Sequence, residues 1–116
     1  MSGLTLYGIP NCDTVKKART ALDAAGVEYT FHDYKKAGVS RAMLDRWADA
    51  AGWETLLNRK GTKFRALTEA DKQAIDRGKA LALMEASPSL IKRPVIEDQA
   101  GRLTVGWSPD AQAAWL

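Results

Sequence analysis

A single cysteine and a single histidine are all that this 116-residue chain has of the residues that staple folds or hold soft metals. Cys12 alone cannot close an intramolecular disulfide, which excludes a disulfide framework and a cysteine-rich metal site. With only His32 beside it, no zinc site is expected. Long hydrophobic runs are missing too: no apolar stretch approaches the ~18 residues that a membrane span needs, so no membrane partner is expected. The opening "MSGLTLYGIP" lacks a basic n-region and its apolar run breaks at Gly8 and Pro10, so no signal peptide is expected. Repeats, linkers and low-complexity segments are absent as well. These absences point to a reducing, cytoplasmic location in which Cys12 stays a free thiol.

What is present is enough for one hydrophobic core. Apolar residues make up 46% and charged residues 27%, the balance of a soluble globular domain. The formal net charge of +3 is compatible with small anions or nucleic acid and specifies neither.

Periodicity divides the chain into strands and helices. Residues 4–8, "LTLYG", alternate as a strand does, and Val15, Ala18, Leu22 and Ala25 then recur at helical spacing until Gly26. Residues 27–34, "VEYTFHDY", alternate again, which completes a βαβ unit with parallel strands. In the middle, Ser40 is placed to cap a helix over Leu44, Trp47, Ala48 and Ala51 that ends at Gly52, with Val39 and Leu44 spaced as a hydrophobic staple. Residues 53–58 suggest a further short turn of helix, and 59–65, "RKGTKFR", a basic loop. Thr68 and Asp71 have capping-box spacing for a helix expected to end near Gly78, and 79–86 continue helical until Ser87-Pro88. Residues 93–97 and 102–106 flank the turn-rich "DQAG" as an antiparallel hairpin. Ser108-Pro109-Asp110 then starts a last helix expected to bury Ala111, Ala114 and Trp115. The order βαβ, helices, ββα predicts a single α/β domain over 1–116 with a helical insertion at about 38–88.

Cys12 follows a strand and opens a helix, where unsatisfied N–H groups and the helix dipole favour an anion, here a thiolate. Its neighbours Asn11, Asp13 and Thr14 are polar, unlike those of a core cysteine. Lys16, one turn on, can add to the stabilisation if its ammonium folds back, and Asp13 opposes it. "CDTV" is not C-x-x-C, so any redox cycle needs its second sulfur from outside, and glutathione is the abundant candidate. Cations for its carboxylates stand at Arg59, Lys60, Lys63 and Arg65 and at Lys92-Arg93. His32, Tyr7, Tyr34 and the four tryptophans read as structural, the tryptophans without the aromatic-basic interleaving that single-strand binding uses; the basic string 58–65, taken alone, is open to nucleic acid as well as to small anions.

Four segments together, "YGIPNCDTVKKAR", "FHDYKKAG", "GWETLLNRKGTKFR" and "IKRPVIE", resemble the ArsC-like arsenate reductase family, most closely its YffB branch. The resemblance covers nearly the whole chain. It implies a thioredoxin-like fold, a four-stranded mixed sheet with a helical insertion. It also implies that Cys12 is the nucleophile, that the Arg59-Lys60 region and Arg93 bind the anionic ligand, and that Pro94, often cis in this fold, lies against the substrate. Asn11, Lys16 and Lys92 complete the candidate site. The implied activity is a glutathione-dependent thiol reductase acting on an oxidised sulfur or an oxyanion, with glutathione as co-substrate and no permanently bound cofactor or metal. Two alternatives belong to the same resemblance. One is arsenate reduction, against which the chain reads "LTVGWS", with Val105 or Gly106, where those reductases carry a further arginine. The other is an Spx-type regulator that binds RNA polymerase, against which the chain lacks the C-x-x-C that many of those proteins use.

Overall fold

The structure is a computed structural model and describes residues 3–116. The chain divides into two compact units, one formed by 1–37 and 93–116 and the other by 38–92.

The first unit holds a four-stranded mixed sheet. Strand β1 (Thr5–Gly8) leads into helix α1 (Asp13–Ala24), and β2 (Thr30–Asp33) returns parallel to β1 with Gly8 opposite Asp33. Strands β3 (Val95–Glu97) and β4 (Leu103–Val105) form the expected hairpin, and β3 pairs antiparallel with β1. The strand order is β2-β1-β3-β4.

Alternation along β1 sends Leu6 to the face that α1 covers. There Leu4, Leu6 and Ile96 meet Val15, Ala18 and Leu22 in a core whose members are almost fully buried. Each such side chain contributes about 1.5–3 kcal/mol by leaving water. Gly8 permits the close approach of β1 to α1: a Cβ there would stand 2.8 Å from Val15 Cγ2. Helix α1 ends as its glycine predicts. Gly26 has φ +71°, its N–H donates to Asp23 O (3.1 Å) and Val27 N–H donates to Leu22 O (2.9 Å), the two bonds of a Schellman motif.

Strand β2 is shorter than the alternation over 27–34 suggests. Val27 is taken up by the end of α1, and Tyr34 leaves the strand to begin a helical turn, α2 (Tyr34–Ala37). Asp33 Oδ1 accepts from Lys35 N–H at 2.8 Å, which turns the chain there.

The second unit is helical. Helix α3 (Arg41–Ala51) starts where Ser40 Oγ accepts from Met43 N–H and ends at Gly52; α4 (Trp53–Leu56) follows. The segment 59–65 is not all loop: Thr62–Arg65 form a helical turn, α5. Thr68 caps α6 (Glu69–Lys72) as its spacing predicts. Gly78 does not end that helix. The break comes earlier, at 73–76, and Gly78 lies inside α7 (Arg77–Ala86), whose N-cap is Asp76. The Asp76 carboxylate accepts from Lys79 N–H at 2.9 Å and supplies a start signal strong enough to carry a glycine in the first turn. Leu44, Trp47, Leu56, Leu57, Leu81, Met84, Leu90 and Ile91 are all buried in this unit.

Helix α8 (Pro109–Trp115) closes the first unit, capped by Ser108. Only Ala111 of its three expected core residues is buried; Ala114 and Trp115 are half-buried. Trp115 stays near the surface because its indole N–H donates to Thr104 Oγ1 at 2.7 Å and the Arg102 guanidinium lies 5.6 Å from its ring. Among the described residues no helix is long and apolar enough to cross a membrane.

Candidate functional site

Cys12 occupies the N-cap of α1 with extended backbone, φ −92° and ψ 127°. The chain reaches it through Ile9-Pro10-Asn11, and Cys12 N–H donates to Ile9 O at 3.4 Å. Its own carbonyl accepts from Lys16 N–H at 2.9 Å, the first intrahelical bond. This leaves the sulfur beside N–H groups of the first turn that have no intrahelical acceptor.

Burial pushes the Cys12 thiol up, as it packs against the Leu6–Val15–Ile96 core. Three groups more than offset that: the Val15 N–H, the Arg93 side chain through both a hydrogen bond and its charge, and the Thr14 N–H. The net result is a thiol held below its ordinary range. The sulfur closes no capping hydrogen bond of ordinary length. The Val15 and Thr14 N–H groups act on it most strongly when the sulfur is charged.

Arg93 arrives from a distant part of the sequence. It precedes β3, and since Val95 pairs with Tyr7, Arg93 enters the sheet at the end from which β1 runs to Cys12. The Arg93–Pro94 peptide bond is cis. Pro94 is buried, and its carbonyl accepts from Gly106 N–H at 2.8 Å. Asn11 and Lys16 flank Cys12 and are exposed. The cation whose hydrogen bond and charge lower the Cys12 thiol is Arg93, from the segment that precedes β3.

Arg59, Lys60 and Lys92 belong to the inserted unit. Leu57 bridges antiparallel to Ile91, Asn58 N–H donates to Leu90 O (2.8 Å) and Lys92 N–H donates to Leu56 O (2.7 Å). These bonds set the Arg59-Lys60 segment beside the Lys92 segment. All three cations are exposed, and Arg59 lies 5.8 Å from the Trp53 ring.

A model of the ArsC family matches residues 7–115. The chain belongs to that family. Within it, the solved structure of a protein named YffB is 57% identical, with TM-score 0.92 over 97% of this chain and 98% of that one. An arsenate reductase (ArsC) related protein from Brucella melitensis is 50% identical, with TM-score 0.78 over 97% and 93%. A global transcriptional regulator Spx from Streptococcus pneumoniae is 28% identical over 115 residues, 97% of this chain and 85% of that protein. The ArsC-family sheet described above is thioredoxin-like, as the order βαβ…ββα implies.

Tyr7 and Tyr34, which the sequence reads as structural, are both buried. Tyr34 is 1% exposed, and burial pushes its phenol far above its ordinary range, with the Arg93 charge pulling against that rise. Tyr7 donates its hydroxyl to Glu97 Oε1 at 2.6 Å and stacks at 49° on His32, ring centroids 4.9 Å apart. Among the described residues no group of three or more His, Cys, Asp or Glu side chains could hold a metal ion.

Proposed function

We propose that the protein is a glutathione-dependent thiol reductase with Cys12 as its nucleophile. The observation that carries this reading is the half-buried Cys12 sulfur at the start of α1, lowered in pKa by Val15 N–H, Arg93 and Thr14 N–H against the opposing effect of burial. In the first step the thiolate attacks the glutathionyl sulfur of a mixed disulfide R–S–S–G. A Cys12–glutathione disulfide forms, and R–S⁻ leaves and takes a proton from water. A second glutathione thiolate then attacks the glutathionyl sulfur, which releases oxidised glutathione and restores the Cys12 thiolate. The sum of the two exchanges converts R–S–S–G and one glutathione thiol into R–SH and oxidised glutathione, one disulfide bond being traded for another. Asn11, Lys16 and Pro94 line the cysteine turn and the adjoining strand entry for this exchange. On the inserted unit, Arg59, Lys60 and Lys92 offer cations suited to carboxylates such as those of glutathione.

Two family members favour other readings. The arsenate reductase relationship makes arsenate a second substrate to try. The position where the family's reductases carry a further arginine falls here at Val105 in β4 or at Gly106, whose N–H is engaged by Pro94 O; neither side chain brings a cation. The Spx relationship supports a regulator that binds RNA polymerase, and "CDTV" provides no second cysteine for a local disulfide switch.

The test is glutathione-linked reduction of a small mixed disulfide, followed as oxidised glutathione formed, with the parent chain and Cys12→Ser. Turnover by the parent and none by the folded variant is the expected result. Residual turnover in the variant rejects Cys12 as nucleophile. A parent without turnover that forms a Cys12-independent complex with RNA polymerase establishes the regulator instead.

A further inference from the structure

We propose that the outer edge of β2 pairs with a second copy of this chain, antiparallel about Phe31, with Arg19 of each copy set against Asp33 of the other. The dimer does not depend on the chemistry at Cys12, since β2 carries neither the thiol nor its cation.

The backbone offers the first half of the contact. Strand β2 lies at one edge of the sheet, with β1 on one flank and no strand on the other. Thr30 N–H donates to Leu4 O at 2.9 Å. Successive peptide groups of a strand face opposite flanks, so Thr30 and His32 serve the parallel ladder with β1, while the N–H and C=O of Phe31 and Asp33 point outward. An edge of this kind is a template for a further strand. In an antiparallel pair centred on Phe31, the two Phe31 residues exchange their N–H and C=O groups, and Tyr29 of each copy comes opposite Asp33 of the other. Outward groups meet outward groups, and two four-stranded sheets become one.

The side chains offer the second half. Phe31 is in register with Leu6 and shares the face that α1 covers, where Tyr29 and Phe31 pack against the core. From α1, Arg19 reaches over both: its guanidinium lies 4.2 Å from the Phe31 ring centroid, and its Nε–H donates to the Tyr29 hydroxyl at 3.3 Å. Arg19 and Asp23 stand one turn apart, the spacing of a helical ion pair. Among the described residues, however, neither is joined to an opposite charge, because the guanidinium is turned to the two rings. A cleft of roughly 900 Å³ opens beside β2 there, lined in part by Arg19, Asp23, Tyr29, Thr30 and Phe31. It has room for what a second β2 carries on this face, its own Phe31 and Asp33. Since that Asp33 stands opposite Tyr29, whose hydroxyl holds Arg19, its carboxylate comes within reach of the guanidinium. Lys35 N–H occupies only Oδ1 of Asp33, so Oδ2 is left for the cation. Twofold symmetry makes the contact twice.

The experiment is sedimentation equilibrium from micromolar to millimolar chain, with the parent, Arg19→Asp, Asp33→Arg and an equimolar mixture of the two variants. The parent should dimerise. Each variant alone should do so about tenfold more weakly, because both ion pairs become like-charged. The mixture should recover the parent's affinity, because both pairs of the mixed dimer are again of opposite sign. Hydrogen exchange gives a second reading: the Phe31 amide should slow as the concentration of parent rises, whereas the Thr30 amide, bonded within the sheet, is protected throughout. A parent that stays monomeric at millimolar concentration overturns the proposal. So does a dimer that neither folded variant weakens, or one whose Phe31 amide gains no protection. Protection of that amide only by an added valine-threonine repeat peptide, in a monomeric chain, gives the edge to a foreign strand and overturns the dimer too. Should a variant fail to fold, the Phe31 amide of the parent decides alone.

Discussion

Among the described residues, four α-helices begin at a residue whose side-chain oxygen caps them, and a fifth begins at the cysteine. Ser40, Thr68, Asp76 and Ser108 each accept from the N–H three positions on, at Met43, Asp71, Lys79 and Ala111, over 2.9–3.3 Å. Cys12 holds the corresponding place at α1, with Val15 three positions on, and its side chain closes no such bond. The oxygen caps satisfy an orphan N–H and so add about 0.5–2 kcal/mol each to stability. The sulfur is a weak acceptor while protonated, so the same N–H groups are left to act on the thiolate. One backbone geometry serves stability at four places and reactivity at the fifth. What separates the fifth is also a charge, for Arg93 faces the Cys12 sulfur.

The comparison can be broken most severely at that charge. Arg93→Ala should raise the Cys12 titration midpoint and slow thiol alkylation at pH 7 by about tenfold. That is the low end of what a charge-assisted hydrogen bond of ~1.5–3 kcal/mol gives, since the sulfur is half-exposed. The midpoint is the reading to take, because a thiolate of higher pKa is also the better nucleophile. A midpoint unmoved in the variant would reduce the site to its helix terminus.

Moving the thiol sharpens the same contrast. In the double variant Cys12→Ser with Ser108→Cys, the cysteine caps α8 without an arginine set against it. Its alkylation midpoint should fall between those of the parent and of a free thiol, an effect of roughly a few-fold in rate at pH 7. A midpoint as low as the parent's would assign all of the activation to the cap.

Removing oxygen caps should cost stability and leave reactivity alone. Ser40→Ala and Ser108→Ala should each lose about 1 kcal/mol in chemical unfolding. Neither should move the Cys12 midpoint, and a shift with Ser40→Ala would mean that the caps are not independent.

The smallest effect is a pH dependence. The Cys12 pKa is depressed in the folded protein, so ionisation of the sulfur stabilises the fold. That contribution is complete above the unfolded thiol's pKa of about 8.5 and is lost as pH falls through the folded value. The stability of the parent relative to Cys12→Ser should therefore rise with pH up to about 8.5 and then level off. A flat difference across that interval would contradict the depressed pKa.

Much of this fold is legible locally. Ser40, Thr68, Ser108, Gly26 and Gly52 mark helix ends through bonds that span three or four residues, so their meaning does not depend on the rest of the chain. Gly78 misleads because an internal glycine costs only ~1 kcal/mol, which the Asp76 cap and the buried Ala80, Leu81 and Met84 outweigh. Tyr34 misleads differently: its place in an alternating run is correct, yet the Asp33 side chain ends the strand one residue earlier. Trp115 reads as core by helical spacing, and a hydrogen bond to Thr104, eleven residues away, keeps it at the surface.

The sequence by itself determined the order of strands and helices, the caps at Ser40, Thr68 and Ser108, and the position of a lone cysteine at a strand-to-helix turn. These follow from short-range hydrogen bonding and from the two periodicities of the backbone. Only the tertiary structure decided which cation faces the sulfur. Lys16 is four residues from Cys12 and Arg93 is eighty-one, yet the antiparallel register of β3 on β1 brings in the arginine. Strand pairing joins residues by register and not by distance along the chain, and for that reason spacing along the sequence points to Lys16, Arg93 enters there only through a family resemblance, and the fold supplies the geometry that brings it to the sulfur.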